Sequence, residues 1–224
     1  MQSIKAVLIE PVGCLAEFFA DELNHAAELF GDADEIAGGS QAYWRLLGLM
    51  QQRSATTDAV AAFELRAVER AELYEDVRAS LAELGALGVR VILASSLSRA
   101  AVTRFLERNA LSDLFAASFT RDEAGGVGAH VLRCAVAQSG LDPKQVMALA
   151  DTAEALELIN QQGLNAMLMI NDYDEGRALA ERNPAGGIVS LAELPDALRL
   201  IAQRSGLRET TRAPRAPFEL FDPS

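Results

Sequence analysis

The sequence predicts an α/β fold with a parallel sheet core and a helical cap inserted after the first strand. Three observations carry this prediction. From Tyr74 onward, short apolar runs alternate with segments of helical period, the pattern of buried parallel strands joined by helical crossovers. The first apolar run, Ala6–Ile9, passes directly into Glu10 and Pro11. A strand ending in this way delivers an acid to the sheet edge where ligands bind in open α/β folds. Residues 16–72 hold no stretch that reads as a strand. The expected division is a core from residues 1–15 and 73–205, a cap over 16–72 and a tail over 206–224.

Taken in order, Leu15, Phe18, Phe19, Leu23, Ala26 and Phe30 recur at helical spacing until Gly31 stops the run. Ser40 is placed to cap a second helix carrying Trp44, Leu47 and Met50. Thr56 or Thr57 is placed to cap a third, with Val60, Phe63, Leu65 and Ala67 inside it. A helix with Val77, Leu81 and Leu84 then runs to Gly88, and residues 89–94 form a strand ending at Ser95, Ser96 and Ser98. A helix with Val102, Phe105 and Leu106 precedes a weaker strand at 115–120. The segment Gly125-Gly126-Val127-Gly128 leads into a helix with Val131, Leu132 and Ala135. Strands at 146–149, 165–170 and 188–189 complete a Rossmann-like sheet, the first of them ending at Asp151, and residues 194–201 close as a helix.

Half of the 224 residues are hydrophobic and 23% are charged, which excludes disorder as the main state. A net charge of −12, from 20 basic and 32 acidic residues, argues against nucleic acid or an anionic membrane as partner. Glu10 and Pro11 interrupt the N-terminal apolar run too early for a signal peptide. No apolar stretch approaches the roughly 18–20 residues that span a bilayer, so the expected compartment is cytoplasmic. Cys14 and Cys134 lack any CxxC or Cys/His spacing and read as buried structural thiols. His25 and His130 have no companion at ligand spacing. Gly126-Val127-Gly128 lacks the third glycine and the first-strand position of a dinucleotide loop. The tail ends in the apolar Phe218-Glu219-Leu220-Phe221, suited to docking on the parent domain or on another protein.

A strand ending in an acid, a helical insertion, a strand ending in serine and a strand ending in aspartate follow one another here. That order resembles the haloacid dehalogenase-like superfamily, in particular its phosphoglycolate phosphatase and β-phosphoglucomutase branch, over residues 3–205. ELYEDVRASLAELGALGVRVILASSLSRAAVTRFLE is the most specific stretch outside the site, and GLDPKQVMALAD and IVSLAELPDAL sit where that branch has similar phrases. The resemblance sets Glu10, Pro11, Val12, Gly13 and Cys14 on the family motif DxDGT. Glu10 then stands at the nucleophile, lengthened by one methylene, and Val12 at the general acid/base, where only its backbone carbonyl could face a metal. Ser95 matches the residue that hydrogen-bonds the phosphoryl group, with Ser96 beside it, and Gly13 leaves the backbone free to approach a phosphate. The family lysine falls near Gly126; the sequence has no lysine between Lys5 and Lys144, so that charge is missing unless Arg121 reaches in. The acidic pair that holds Mg²⁺ matches Ala150 and Asp151. Glu10, Val12 (backbone) and Asp151 are thus the metal ligands the resemblance implies, if Mg²⁺ binding is retained.

Displacing a nucleophile by about 1 Å costs roughly 10²-fold, a missing general acid/base about 10²–10⁴-fold, and a lost charge-stabilising group on the order of 10²–10³-fold. The replacements therefore predict a catalytically impaired phosphatase-like protein acting through a small phosphorylated ligand or a protein partner. Two alternatives stand beside it. One is an active Mg²⁺-dependent phosphatase on a small phosphorylated metabolite, using Glu10 and Asp151; the other is an interaction module recognised through its tail. Structural roles compete at each residue as well. Backbone N–H groups can hold Glu10, Asp151 can cap the helix beside it, and Ser95 can cap or join a turn.

Overall fold

The structure, a computed structural model, describes residues 3–52, 57–182 and 184–210. The chain opens on β1 (Ala6–Ile9), buried along its whole length, and reverses through a single turn, α1 (Pro11–Cys14). The next residues, expected to begin a helix, are instead extended. β2 (Ala16–Glu17) carries the chain into the cap and pairs antiparallel with the returning β3 (Glu72–Leu73). This corrects the expectation of no strand in 16–72. The two crossings run side by side, and their backbone groups pair with each other, a need that leaves no mark in the hydrophobic pattern.

Between those crossings lie α2 (Ala20–Glu28), α3 (Gly39–Gln52) and α4 (Thr57–Arg70). Helix α3 starts at Gly39, so Ser40 lies within its first turn rather than ahead of it. It buries Ala42, Tyr43, Leu46, Leu47 and Met50, while Trp44 is only partly buried. Helix α4 buries Val60, Ala67 and Val68 together with the charged Glu64, and Leu65 stays partly exposed. The cap expected of Thr56 or Thr57 lies outside the described residues and side chains.

The core continues through α5 (Val77–Ala86), β4 (Arg90–Ala94), α6 (Arg99–Arg108), β5 (Ala117–Phe119), α7 (Arg121–Ala124) and α8 (Ala129–Ser139). It finishes with β6 (Val146–Ala150), α9 (Ala153–Gln161), β7 (Asn165–Met169), α10 (Tyr173–Ala180), β8 (Gly186–Ile188) and α11 (Leu194–Thr210). The expected closing helix thus runs on to Thr210, and the boundary expected at residue 206 falls inside it. Residues 211–224, with their docking tip, lie outside the described residues.

Six parallel strands form the sheet in the order β5-β4-β1-β6-β7-β8. Successive residues of each strand face opposite ways, and the core divides accordingly. Val7, Ile9, Leu93, Leu149 and Met169 join one cluster with α5, α11 and the cap. Ala6, Leu8, Ile92, Ala148 and Leu168 join the other with α8 and α9. Strand order reverses at β1, which lies between β4 and β6, so the crevice at its carboxyl end is a switch point where such sheets bind ligands. Register sets what meets there: Ile9 lies opposite Leu93 and Leu8 opposite Ala148, which brings the residues after β1, β4 and β6 to one edge. No helix among the described residues is long and apolar enough to cross a membrane.

Candidate functional site

Glu10 emerges from β1 at this edge, and three donors converge on its carboxylate. Oε1 accepts from the Ser95 hydroxyl at 2.5 Å. Oε2 accepts from the Ser96 N–H at 3.1 Å and from the Tyr43 hydroxyl at 2.8 Å. Both serines are buried in the turn that leaves β4, and the turn fixes their orientation. Ser95 N–H donates to the Phe119 carbonyl at 2.9 Å, Ser95 Oγ accepts from Leu97 N–H at 3.1 Å, and Ser96 Oγ accepts from Gly128 N–H at 2.7 Å. Ser95 thus joins the turn, one of its expected parts, and donates its hydroxyl to the Glu10 carboxylate. Burial pushes the Glu10 carboxyl up to about 7; the Ser95, Ser96 and Tyr43 hydrogen bonds oppose that rise, and the Asp151 charge adds to it.

Tyr43 is the site residue that sequence reasoning missed. Burial, and then the charges of Glu10 and Glu64, hold its phenol well above its ordinary range, so it stays a neutral donor. One signal was available: it shares a helix face with Leu47 and Met50, and a tyrosine hydroxyl turned inward needs a partner.

Asp151, almost wholly buried, follows β6. It does not cap α9, because Thr152 does, accepting from Ala155 N–H at 3.2 Å. Its carboxylate lies instead against Gly13, whose φ of +73° belongs to the left-handed region. A Cβ at Gly13 would run into the Asp151 carboxylate and the Ser40 hydroxyl, so only glycine fits between them. The Gly13 carbonyl accepts from Asn171 Nδ2 at 2.8 Å.

Gly13 and Asp151 line a pocket of ≈ 630 Å³ with Ser40, Tyr74 and Asn171. Glu17, Glu75, Asp76 and Asp172 line it too, whereas no lysine or arginine does among the described residues. A bare phosphate would be repelled there, since like charges about 4 Å apart cost about 4 kcal/mol at an effective dielectric of 20. Glu10 is absent from that lining and borders a separate void of ≈ 30 Å³ with Ser96 and Trp44. The expected residues thus fall into two neighbouring groups, Glu10 with Ser95 and Ser96, and Gly13 with Asp151.

Gly126 joins neither group and lines another depression beside Met50 and His130. Arg121 does not supply the absent lysine's charge to Glu10. Its guanidinium is buried against Glu64 and donates to the Ser96 carbonyl at 3.1 Å. The side chains of Val12 and Ala150 are wholly buried and apolar. Cys14 and Cys134 are free thiols; Cys14 is buried, as expected, while Cys134 is only partly so.

The donor set fits a resident Mg²⁺ poorly. Among the described residues, the two carboxylates that follow the core strands, Glu10 and Asp151, fall in separate groups, and three donors already occupy Glu10. No group of three or more His, Cys, Asp or Glu that could hold a metal occurs among the described residues.

Residues 38–168 match the family model described as haloacid dehalogenase-like hydrolase. The chain belongs to this family. The matched span begins after β1, so it leaves out the strand that carries Glu10. Haloacid dehalogenase-like proteins of known structure extend the likeness to most of the chain. A family hydrolase from Streptococcus pneumoniae superposes with a TM-score of 0.65 at 14% identity, covering 87% of this chain and 98% of that one. L-2-haloacid dehalogenase from Xanthobacter autotrophicus, with chloropropionic acid covalently bound, gives 0.62 at 18% identity over 88% and 98%. A haloacid dehalogenase-like phosphatase from Thermococcus onnurineus gives 0.61 at 17% identity over 87% and 98%. At such identities the likeness establishes the fold. No curated protein matches the sequence.

Proposed function

We propose that this haloacid dehalogenase-like protein is impaired in phosphoryl transfer and acts by binding a ligand or a protein partner at the pocket over Gly13 and Asp151. One observation carries the proposal. The Glu10 carboxylate takes up Ser95 and Ser96, the donors the family resemblance assigns to a phosphoryl group, with Tyr43 closing from the cap. A nucleophile held by three donors in its own anion cradle is poorly placed to attack, and its high pKa leaves much of it protonated near neutrality. Val12 offers no carboxyl for acid/base work, and the buried Arg121 is committed to Glu64. The acidic lining disfavours a phosphorylated ligand that arrives without its own cation.

Turnover of an aryl phosphate with Mg²⁺ tests this reading. The expected rate equals that of the Glu10→Ala variant; Mg²⁺-dependent turnover that Glu10→Ala abolishes would overturn it. The second reading, an active phosphatase using Glu10 and Asp151, draws support from the closeness of the two acids, since the Asp151 charge raises the Glu10 pKa. The same assay decides between them.

A further inference from the structure

We propose that the cap is a fixed layer, pinned in register on the core by a buried ion pair between Glu64 and Arg121. Glu64 belongs to the cap helix α4 and Arg121 opens the core helix α7; their side chains are 0% and 2% exposed. Each charge is also tied to the turn that holds Glu10. Glu64 Oε2 accepts from Ser98 N–H at 3.0 Å, and Arg121 donates to the Ser96 carbonyl at 3.1 Å. Arg121 is itself presented from a pinned start, because Thr120 and Glu123 form a capping box around it.

Nothing in the chemistry already described requires this pair, and its burial has a mechanical meaning. Cap residues Leu23, Leu46, Leu47 and Val68 belong to the same hydrophobic cluster as core residues Ile9, Leu93, Leu97 and Phe105. The Phe18 and Phe105 rings stack across the boundary at 6.1 Å. A small swing of the cap would part the two charges before water could reach either, which is costly in a low-dielectric interior. Close-packed interfaces move between discrete states rather than deform gradually. The cap therefore stays seated while the core is folded, and a ligand reaches Asp151 past a stationary cap, through the pocket present in this arrangement. This inference holds whether or not the site retains chemistry.

Hydrogen exchange on the full chain tests it. In the wild type, amides of α3 and α4 should be protected within about tenfold of those in β1, β4 and β6, because cap and sheet open together. Glu64→Gln should lower cap and sheet protection together, on the order of 10²–10³-fold, since it leaves the Arg121 charge buried alone. The double variant Glu64→Met/Arg121→Met should recover much of that loss by removing both charges. Cap amides more than about 100-fold less protected than the sheet in the wild type would overturn the proposal. So would a Glu64→Gln effect confined to the cap, or a double variant no better protected than Glu64→Gln. Should the single variants fail to fold, the wild-type comparison decides alone.

Discussion

Burial disfavours the charge on Glu10 by more than the three donors around it favour that charge. An exposed glutamate titrates at about 4.3, whereas burial lifts Glu10 to about 7. A raised folded-state pKa means stability that is fully present below the unfolded value and lost as pH climbs through about 7. The loss should reach about 3 kcal/mol. Glu10→Gln keeps the shape and removes the titration. Denaturant unfolding from pH 4.5 to 8.5 should therefore show the wild type falling relative to the variant across that range; parallel curves would contradict the assignment. Tyr43→Phe deletes one donor to the same carboxylate and should cost about 1.5–3 kcal/mol when Glu10 is charged, less when it is neutral. At this scale Glu10, Ser95 and Asp151 were legible because each follows an apolar strand-like run. Tyr43 was hidden, since what it touches comes from a sequence-distant strand.

Among the elements, the turn α1 is the most constrained by its own residues. Gly13→Ala should destabilise by at least about 1–2 kcal/mol, from the left-handed backbone alone, with the collision at Asp151 and Ser40 added; a shift of the unfolding midpoint measures it. The long alternation of apolar and helical runs made the core strands readable in order. Strand ends moved by a few residues, as with β8, and α11 runs nine residues past its expected end at 201. What the pattern could not supply were β2 and β3, two residues each, too short to show a period and made by the pairing of distant segments. The short α7 was equally silent, although its capping box, Thr120 with Glu123, is a local signature that could have announced it. Thr120→Ala should cost about 1 kcal/mol, checked in the same unfolding experiment.

Across the whole molecule, the decisive contacts join cap to core. The sequence marks Arg121 only as a stand-in for the absent lysine and gives Glu64 no part, and only the folded chain shows them facing one another under the cap. Charge distribution points the same way as geometry. The pocket over Asp151 gathers carboxylates, while the guanidinium nearest the serine turn is consumed inside the cap interface. Addition of Mg²⁺ or EDTA should therefore leave the melting temperature unchanged, whereas a resident ion would raise it by mass action. The most direct test of the account is a calorimetric titration of the wild-type protein with inorganic phosphate at pH 7.5 in the presence of Mg²⁺. No saturable heat is expected, because Glu10 already holds the Ser95 and Ser96 donors; saturable phosphate binding that Ser95→Ala weakens would show those donors free to take an anion.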